Sequence, residues 1–264
     1  MKYILTLILI IIQINIIQTS DISNNTNALD LTPYMKNYII TGFKKVPQAN
    51  QGKLQFSFKM PIFPIEVLNT KLYFAYSQRF FLDWMTTETR HPVYDVSFMP
   101  EFFFLTNFNF NFKYIELKYI NYGLKHMSNG GSTDGNEVAW GDRFFISTHF
   151  IILNSLDLNF KTWGNAFYDT TELDKYFGKS ELRFNYKIKI DRFLFENINL
   201  SAMTRLGTKD NNNPLQVGLD IGSTTMPSIY IQWWKGYGER LSLYSKHTDN
   251  LRIGFIFPFD DFSL

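Results

Sequence analysis

The chain has 264 residues, enough for one large domain or two small ones. A formal charge of +2, with basic residues scattered rather than clustered, argues against a nucleic-acid partner. The absence of cysteine excludes disulfides, thiolate metal sites and a cysteine nucleophile.

The N-terminus, MKYILTLILIIIQINII, carries one lysine and then a run of Ile and Leu broken only by small or polar residues. It reads as a secretory signal peptide over residues 1–20, with cleavage near Ser20. A membrane-anchoring helix is the alternative, but the run is short for a span and the polar QTSDISNNTN follows it. Residues 21–34 read as an N-terminal periplasmic segment and 35–264 as the folded body. No later stretch is long and apolar enough for a transmembrane helix.

From there the chain alternates with a period of two. In KLQFSFKMPIF, Leu54, Phe56, Phe58 and Met60 share one face, and Gln55, Ser57 and Lys59 share the other. In ELRFNYKIKI, Leu182, Phe184, Tyr186, Ile188 and Ile190 oppose Glu181, Arg183, Asn185, Lys187 and Lys189. The stretches with Leu215, Val217, Leu219 and Ile221, and with Leu251, Ile253, Phe255 and Phe257, repeat the pattern. No helical period of useful length competes with it. Turn signals lie near 106–111, at Asn154-Ser155, at Asp191-Arg192, at 209–214 and at 224–227. Longer connections lie near 84–92, 129–138, 165–179, 207–214 and 238–249.

Counting gives about twelve antiparallel strands in up-and-down order. Tight turns alternating with long loops match an outer-membrane barrel, although a soluble barrel or sandwich would also alternate. Export, the charges on the polar faces (Lys59, Glu116, Lys118, Arg143, Arg183, Lys187) and the strand-end aromatics favour the membrane barrel. Tyr73, Tyr94, Tyr230, Trp233, Trp234 and Tyr237 are read as interfacial girdles. An even strand count closes such a sheet without an edge.

In YIELKYINYGLKHMS, the positions two apart from His126 are Leu124, Tyr122 and Ile120, all apolar. The other parity is more polar, so His126 and Ser128 project outward near the membrane–water boundary. In AWGDRFFISTHFII the even face (Trp140, Phe144, Ile146) is again the lipid-like one, and Asp142 sits on it. Same-face residues near a hairpin loop lie within hydrogen-bonding reach. His126, Ser128 and Asp142 therefore have the parts of a hydrolase on an outer wall: nucleophile, base and orienting carboxylate. The alternative is that His126 and Ser128 are polar residues of the headgroup zone.

The segment LKHMSNG resembles the H-x-S-N-G active-site segment of outer-membrane phospholipase A, a calcium-dependent family built on a twelve-stranded barrel. PYMKNYIITG (33–42), AYSQRF (75–80), PVYDVSFMPEFFF (92–104), AWGDRFF (139–145) and GYGERL (236–241) also look like family segments, in family order. The resemblance implies that Ser128 is the nucleophile, His126 the general base and the Gly130 N–H an oxyanion donor. The family has Asn as third member in a W-N-R context; here the context is Trp140-Gly141-Asp142-Arg143, one residue longer, and the role falls to Asp142.

The resemblance also implies calcium in the loop after Gly131, between two monomers of a reversible homodimer. The Gly131 carbonyl and Asp134, Asn136 or Glu137 offer oxygen ligands, with Arg90 and His91 contributing from the partner subunit. An ordinary solvated Asp-Gly turn is the alternative for 134–136. Gln78 stands where the family places a polar dimer contact, or it simply faces inward. The expected function is outer-membrane hydrolysis of sn-1 and sn-2 acyl esters of glycerophospholipids. The alternatives are a non-enzymatic barrel with a degenerate triad, or another barrel lipid hydrolase such as a lipid A deacylase.

Overall fold

The computed structural model describes residues 31–42, 52–62, 69–83, 93–131, 139–169, 172–192, 195–208, 213–223 and 225–258. The reading of 1–20 as a signal peptide lies outside the described residues. Twelve strands form a closed antiparallel barrel. They are β1 (Tyr38–Gly42), β2 (Gly52–Pro61), β3 (Thr70–Leu82), β4 (Val93–Phe112), β5 (Ile115–Ser128), β6 (Trp140–Ile152), β7 (Leu156–Asp169), β8 (Ser180–Arg192), β9 (Phe195–Leu206), β10 (Leu215–Gly222), β11 (Ser228–Gly236) and β12 (Thr248–Ile256). Each strand pairs with its sequence neighbours, and β1 closes the circle on β12 from Tyr38↔Ile256 to Gly42↔Arg252. Full closure leaves no edge, which is what a chain lacking water on its outer surface requires. Among the described residues one short helix, α1 (Leu173–Phe177), interrupts the strands.

The alternation sorts side chains between lipid and lumen. On β12, Leu251, Ile253 and Phe255 are exposed outside while Arg252 is fully buried within. On β2, Lys53, Gln55, Ser57 and Lys59 all point into the barrel. Charged and polar side chains pair with one another across the lumen and line a cavity within it. Glu101 accepts from Lys125 and Lys161 at 2.8 Å each and from the Tyr34 hydroxyl at 3.0 Å. Burial and the adjoining Glu101 carboxylate push the Tyr34 phenol well above its usual value. Of the 21–34 segment, residues 31–34 are described and enter the barrel end; Thr32 bridges Lys59 and Tyr34 stacks on Phe103.

Two readings of the sequence are corrected here. First, residues 106–111 are not a turn. β4 continues to Phe112 and the chain reverses at Lys113 and Tyr114, with Lys113 at φ 51°. An irregularity between Asn107 and Phe110 shifts the register, and alternate Phe side chains at 108, 110 and 112 stay exposed. Likewise Asp191 and Arg192 still belong to β8. Second, Tyr73, Tyr230 and Trp234 are not interfacial girdles. Tyr230 and Trp234 share the inward parity of buried Gln232 and are themselves fully buried; Tyr73 stacks on buried Phe103.

Candidate active site

β5 and β6 meet at the barrel end that carries the long connections. Tyr119, Asn121, Lys125 and Met127 of β5 face the lumen, as do Arg143, Phe145, Ser147 and His149 of β6. The opposite parity therefore puts His126, Ser128, Trp140, Asp142 and Phe144 on the outer wall. The register sets His126 directly across from Asp142, and Ser128 across from Trp140. His126 Nδ1 and Asp142 Oδ1 are 2.7 Å apart. An ionised carboxylate only accepts, so Nδ1–H donates and Nε2 is left as the basic nitrogen. The two side chains are 38% and 29% exposed, which places the pair on the wall and not behind it.

The turn after Ser128 is closed by two hydrogen bonds. Asn129 N–H donates to the Ala139 carbonyl at 3.1 Å, and Ala139 N–H donates to Asn129 Oδ1 at 3.2 Å. Gly130 follows at φ +74°, where a Cβ would also lie 3.1 Å from Phe98 Cε2. Both the left-handed backbone and the ring make glycine the residue that fits.

Behind the wall, Arg143 ties the strand to α1. Its guanidinium donates to Asp174 Oδ1 at 2.7 Å and lies over the Trp163 and Phe177 rings. Leu173 and Phe177 of α1, with Leu241 and Tyr244 of the 237–247 loop, pack on Met99, Met127 and Ala139. This end of β5 and β6 is thus backed by a packed apolar cluster. A second His–acid pair, His149 Nε2 with Asp157 Oδ2 at 3.1 Å, is buried in the lumen away from lipid.

Gly131 is exposed at φ +111° and opens the 132–138 loop. Asp134, Asn136 and Glu137 lie outside the described residues, as do Arg90 and His91. Among the described residues no group of three or more His, Cys, Asp or Glu could hold a metal. The donor chemistry of 131–137, a carbonyl with amide and carboxylate oxygens, fits a hard cation such as calcium. Gln78 is on the outer face of β3, its neighbours Ser77 and Arg79 pointing inward, and it pairs with Phe56 and Phe98.

Three residues of this site, Ala139, Arg143 and Phe98, do not emerge from the sequence. Asn129 carries a signal, since an Asn before two glycines marks a turn, but its partner Ala139 does not. Arg143 reads as one lumen charge among several. Phe98 depends on a register between strands that the sequence does not print.

A family model for phospholipase A1 matches residues 14–257. The phospholipase A1 of Escherichia coli is 24% identical over 252 residues, covering 88% of this chain and 83% of that protein. The phospholipase A1 of Salmonella typhimurium is 24% identical over 251 residues with the same coverage. Among solved structures, outer membrane phospholipase A from Escherichia coli superposes with a TM-score of 0.78 at 20% identity, covering 90% of this chain and 95% of that one. The Salmonella typhi outer membrane phospholipase dimer with bound calcium gives a TM-score of 0.77 at 21% identity, covering 89% and 95%. At these identities the structural likeness speaks for the fold.

Proposed function

The chain belongs to the phospholipase A1 family and is an outer-membrane phospholipase, and from that premise we propose that it cleaves sn-1 and sn-2 acyl esters of glycerophospholipids with Ser128, His126 and Asp142. The observation that carries the reading is the 2.7 Å His126–Asp142 bond on the outer wall, with Ser128 two residues along the same face. A soluble hydrolase would have to lift its substrate out of the bilayer. Here the acyl chain stays in hydrocarbon while its ester meets the serine.

His126 Nε2 takes the proton of Ser128 Oγ as Oγ bonds to the ester carbonyl carbon. Asp142 holds the Nδ1–H and stabilises the imidazolium that forms. The Gly130 N–H donates to the oxyanion. The carbonyl–oxygen bond to glycerol then breaks, and the departing lysophospholipid oxygen takes the proton from His126. Water, deprotonated by His126, attacks the acyl-serine and releases the fatty acid. The Gly131 carbonyl, Asn136 and Glu137, with the main-chain oxygen of Arg90 of the partner subunit, would hold a calcium ion. Bound there, calcium would supply Lewis-acid polarisation.

The same reading makes the active form a homodimer. Gln78 lies on the lipid-facing wall, where an amide is costly unless another group meets it. A second barrel offering its own Gln78 would do so, and calcium at 131–137 would take a further ligand from that subunit.

The test is hydrolysis of diacyl phosphatidylcholine in detergent micelles, with products separated. With calcium replaced by EDTA, activity is expected to fall by about a hundredfold or more, the effect of losing one oxyanion stabiliser. Cross-linking should show the dimer fraction falling with it, and Gln78→Ala should lower that fraction with calcium present. Activity unchanged by EDTA would remove calcium from the mechanism. Release of acyl chains from lipid A and none from phosphatidylcholine would favour the deacylase instead.

A further inference from the structure

Charge pairing inside the barrel leaves a surplus of cations. The lumen cavity has a volume of about 220 Å³, and eight lysines and arginines line it against four carboxylates. Partners behind the lining do not change the balance. Asp220 and Asp174 meet Lys36 and Arg143, but Glu239 is already shared by Lys53 and Arg252. Glu101 and Glu181 likewise each serve two cations. Protein walls focus the field of such a surplus instead of screening it as bulk water does, so the cavity attracts an anion.

The surplus is concentrated beneath the 237–247 loop. Arg183 Nε donates to Glu181 Oε1 at 2.6 Å, and Arg205 Nε to Glu181 Oε2 at 3.4 Å. Arg205 Nη1 also donates to the Gly238 carbonyl at 3.0 Å, and Arg79 Nη1 reaches the next carbonyl, that of Glu239, at 3.5 Å. Arg205 therefore stands between the other two guanidiniums, and the Glu181 carboxylate is the charge they share. The other bonds of Arg79, at 3.1 and 2.9 Å, go to the uncharged amide oxygen of Gln55. Glu181 engages Nε of Arg183, which leaves the N–H donors of the two terminal nitrogens for another acceptor. That side chain is 36% exposed and lines the lumen cavity. We propose that the lumen binds an inorganic tetrahedral oxyanion, phosphate or sulfate, between Arg183 and Arg79 with Arg205 beside them. Guanidinium forks match the oxygens of such an ion two at a time. The cavity admits the ion with some of its waters, whereas a diacyl lipid does not fit in it. Bound there, the ion neutralises the arginines that hold the loop at Gly238 and Glu239, and the barrel mouth is tightened. The site is inside the barrel, across the wall from Ser128, and does not depend on the serine being a nucleophile.

The experiment is isothermal titration of the whole barrel with inorganic phosphate, in a non-ionic maltoside and at fixed ionic strength. Saturable binding of one phosphate per barrel is expected, with sulfate competing and chloride not. Arg183→Gln and Arg79→Gln should each weaken it by about tenfold or more, the effect of removing charged donors. Lys246→Gln, at an exposed position of the 237–247 loop, should leave it unchanged. The thermal midpoint of the unsubstituted protein should rise with phosphate, and that of the arginine variants should rise less. SDS-resistant gel mobility checks that each barrel has folded. Should Arg183→Gln fail that check, Arg183→Lys replaces it: the charge is kept, the fork is lost, and binding should again weaken. Absence of saturable binding at millimolar phosphate overturns the site. Binding that survives both arginine changes, or that falls with Lys246→Gln, puts the ion on the outer surface and overturns it as well.

Discussion

Ser128→Ala is expected to cut phospholipid hydrolysis by roughly 10⁴- to 10⁶-fold, the loss seen when a serine nucleophile is removed and only binding and oxyanion donors remain. His126→Ala should do nearly as much. The double variant should be no worse than either single one, because nucleophile and base act as a unit. Asp142 is the informative position. Asp142→Ala leaves the His126 Nδ1–H without its acceptor and frees the ring to turn, with an expected loss of about 10²- to 10⁴-fold. Asp142→Asn should cost no more than about tenfold, since an amide oxygen still accepts from Nδ1–H and keeps the same tautomer. The side chain is 29% exposed, so the amide is free to rotate its oxygen toward the ring. Steady-state kinetics on the five proteins checks the order. Ser128→Ala with unchanged activity would end the triad reading. Asp142→Asn as damaged as Asp142→Ala would show that the charge, not the hydrogen bond, is what the carboxylate supplies.

That ordering rests on a face assignment legible in residues 115–152. A period of two puts His126, Ser128 and Asp142 on one side whatever the register, and the barrel follows from many such stretches with turns between them. Other features were illegible for physical reasons. Trp234 and Tyr230 sit near strand ends like girdle residues, and only the burial of Gln232 between them reveals that they fill the lumen. The Asn-rich 106–111 stretch carries turn residues, but its alternate phenylalanines hold the strand to Phe112. A five-residue helix such as α1 is too short to leave a period. The pairing of Phe98 with Ser128 brings together residues 30 positions apart in sequence, and only the register between β4 and β5 reveals it. Most of all, residues 238–249 read as an outer loop, yet Glu239, Arg240, Leu241 and Ser242 are buried.

Glu239→Ala is accordingly expected to be the most destabilising single change in the barrel mouth. Glu239, Lys53 and Arg252 have fully buried side chains. The carboxylate accepts from Lys53 at 3.1 Å, from Arg252 at 2.6 Å and from Asn250 at 2.9 Å, joining β2 and β12 to the 237–247 loop. Removing it leaves two buried cations facing each other, a loss of about 3–5 kcal/mol. Lys53 is also held by Gln232 at 2.7 Å, so it cannot simply swing away into solvent. The pH dependence has a definite sign. Burial raises the Glu239 pKa, but Arg252 and Lys53 outweigh it and hold the carboxyl well below the usual range. A depressed folded pKa gives stability that is present above the unfolded value, about 4.3, and is lost as pH falls below it. The gap in thermal midpoint between the unsubstituted protein and Glu239→Ala should therefore be full at pH 6–8 and narrow below about pH 4. Replacing all three groups, with Lys53→Met, Glu239→Leu and Arg252→Met, should recover much of the loss, since no unpaired charge remains. Thermal unfolding in detergent across this pH range measures each case. Leu241 and Tyr244 of the same loop pack against Met127 and Ala139, one residue from Ser128 and one from Trp140. Loosening Glu239 should thus lower kcat below the unfolding temperature, while a variant that melts early but keeps full kcat would show that the mouth network serves stability alone.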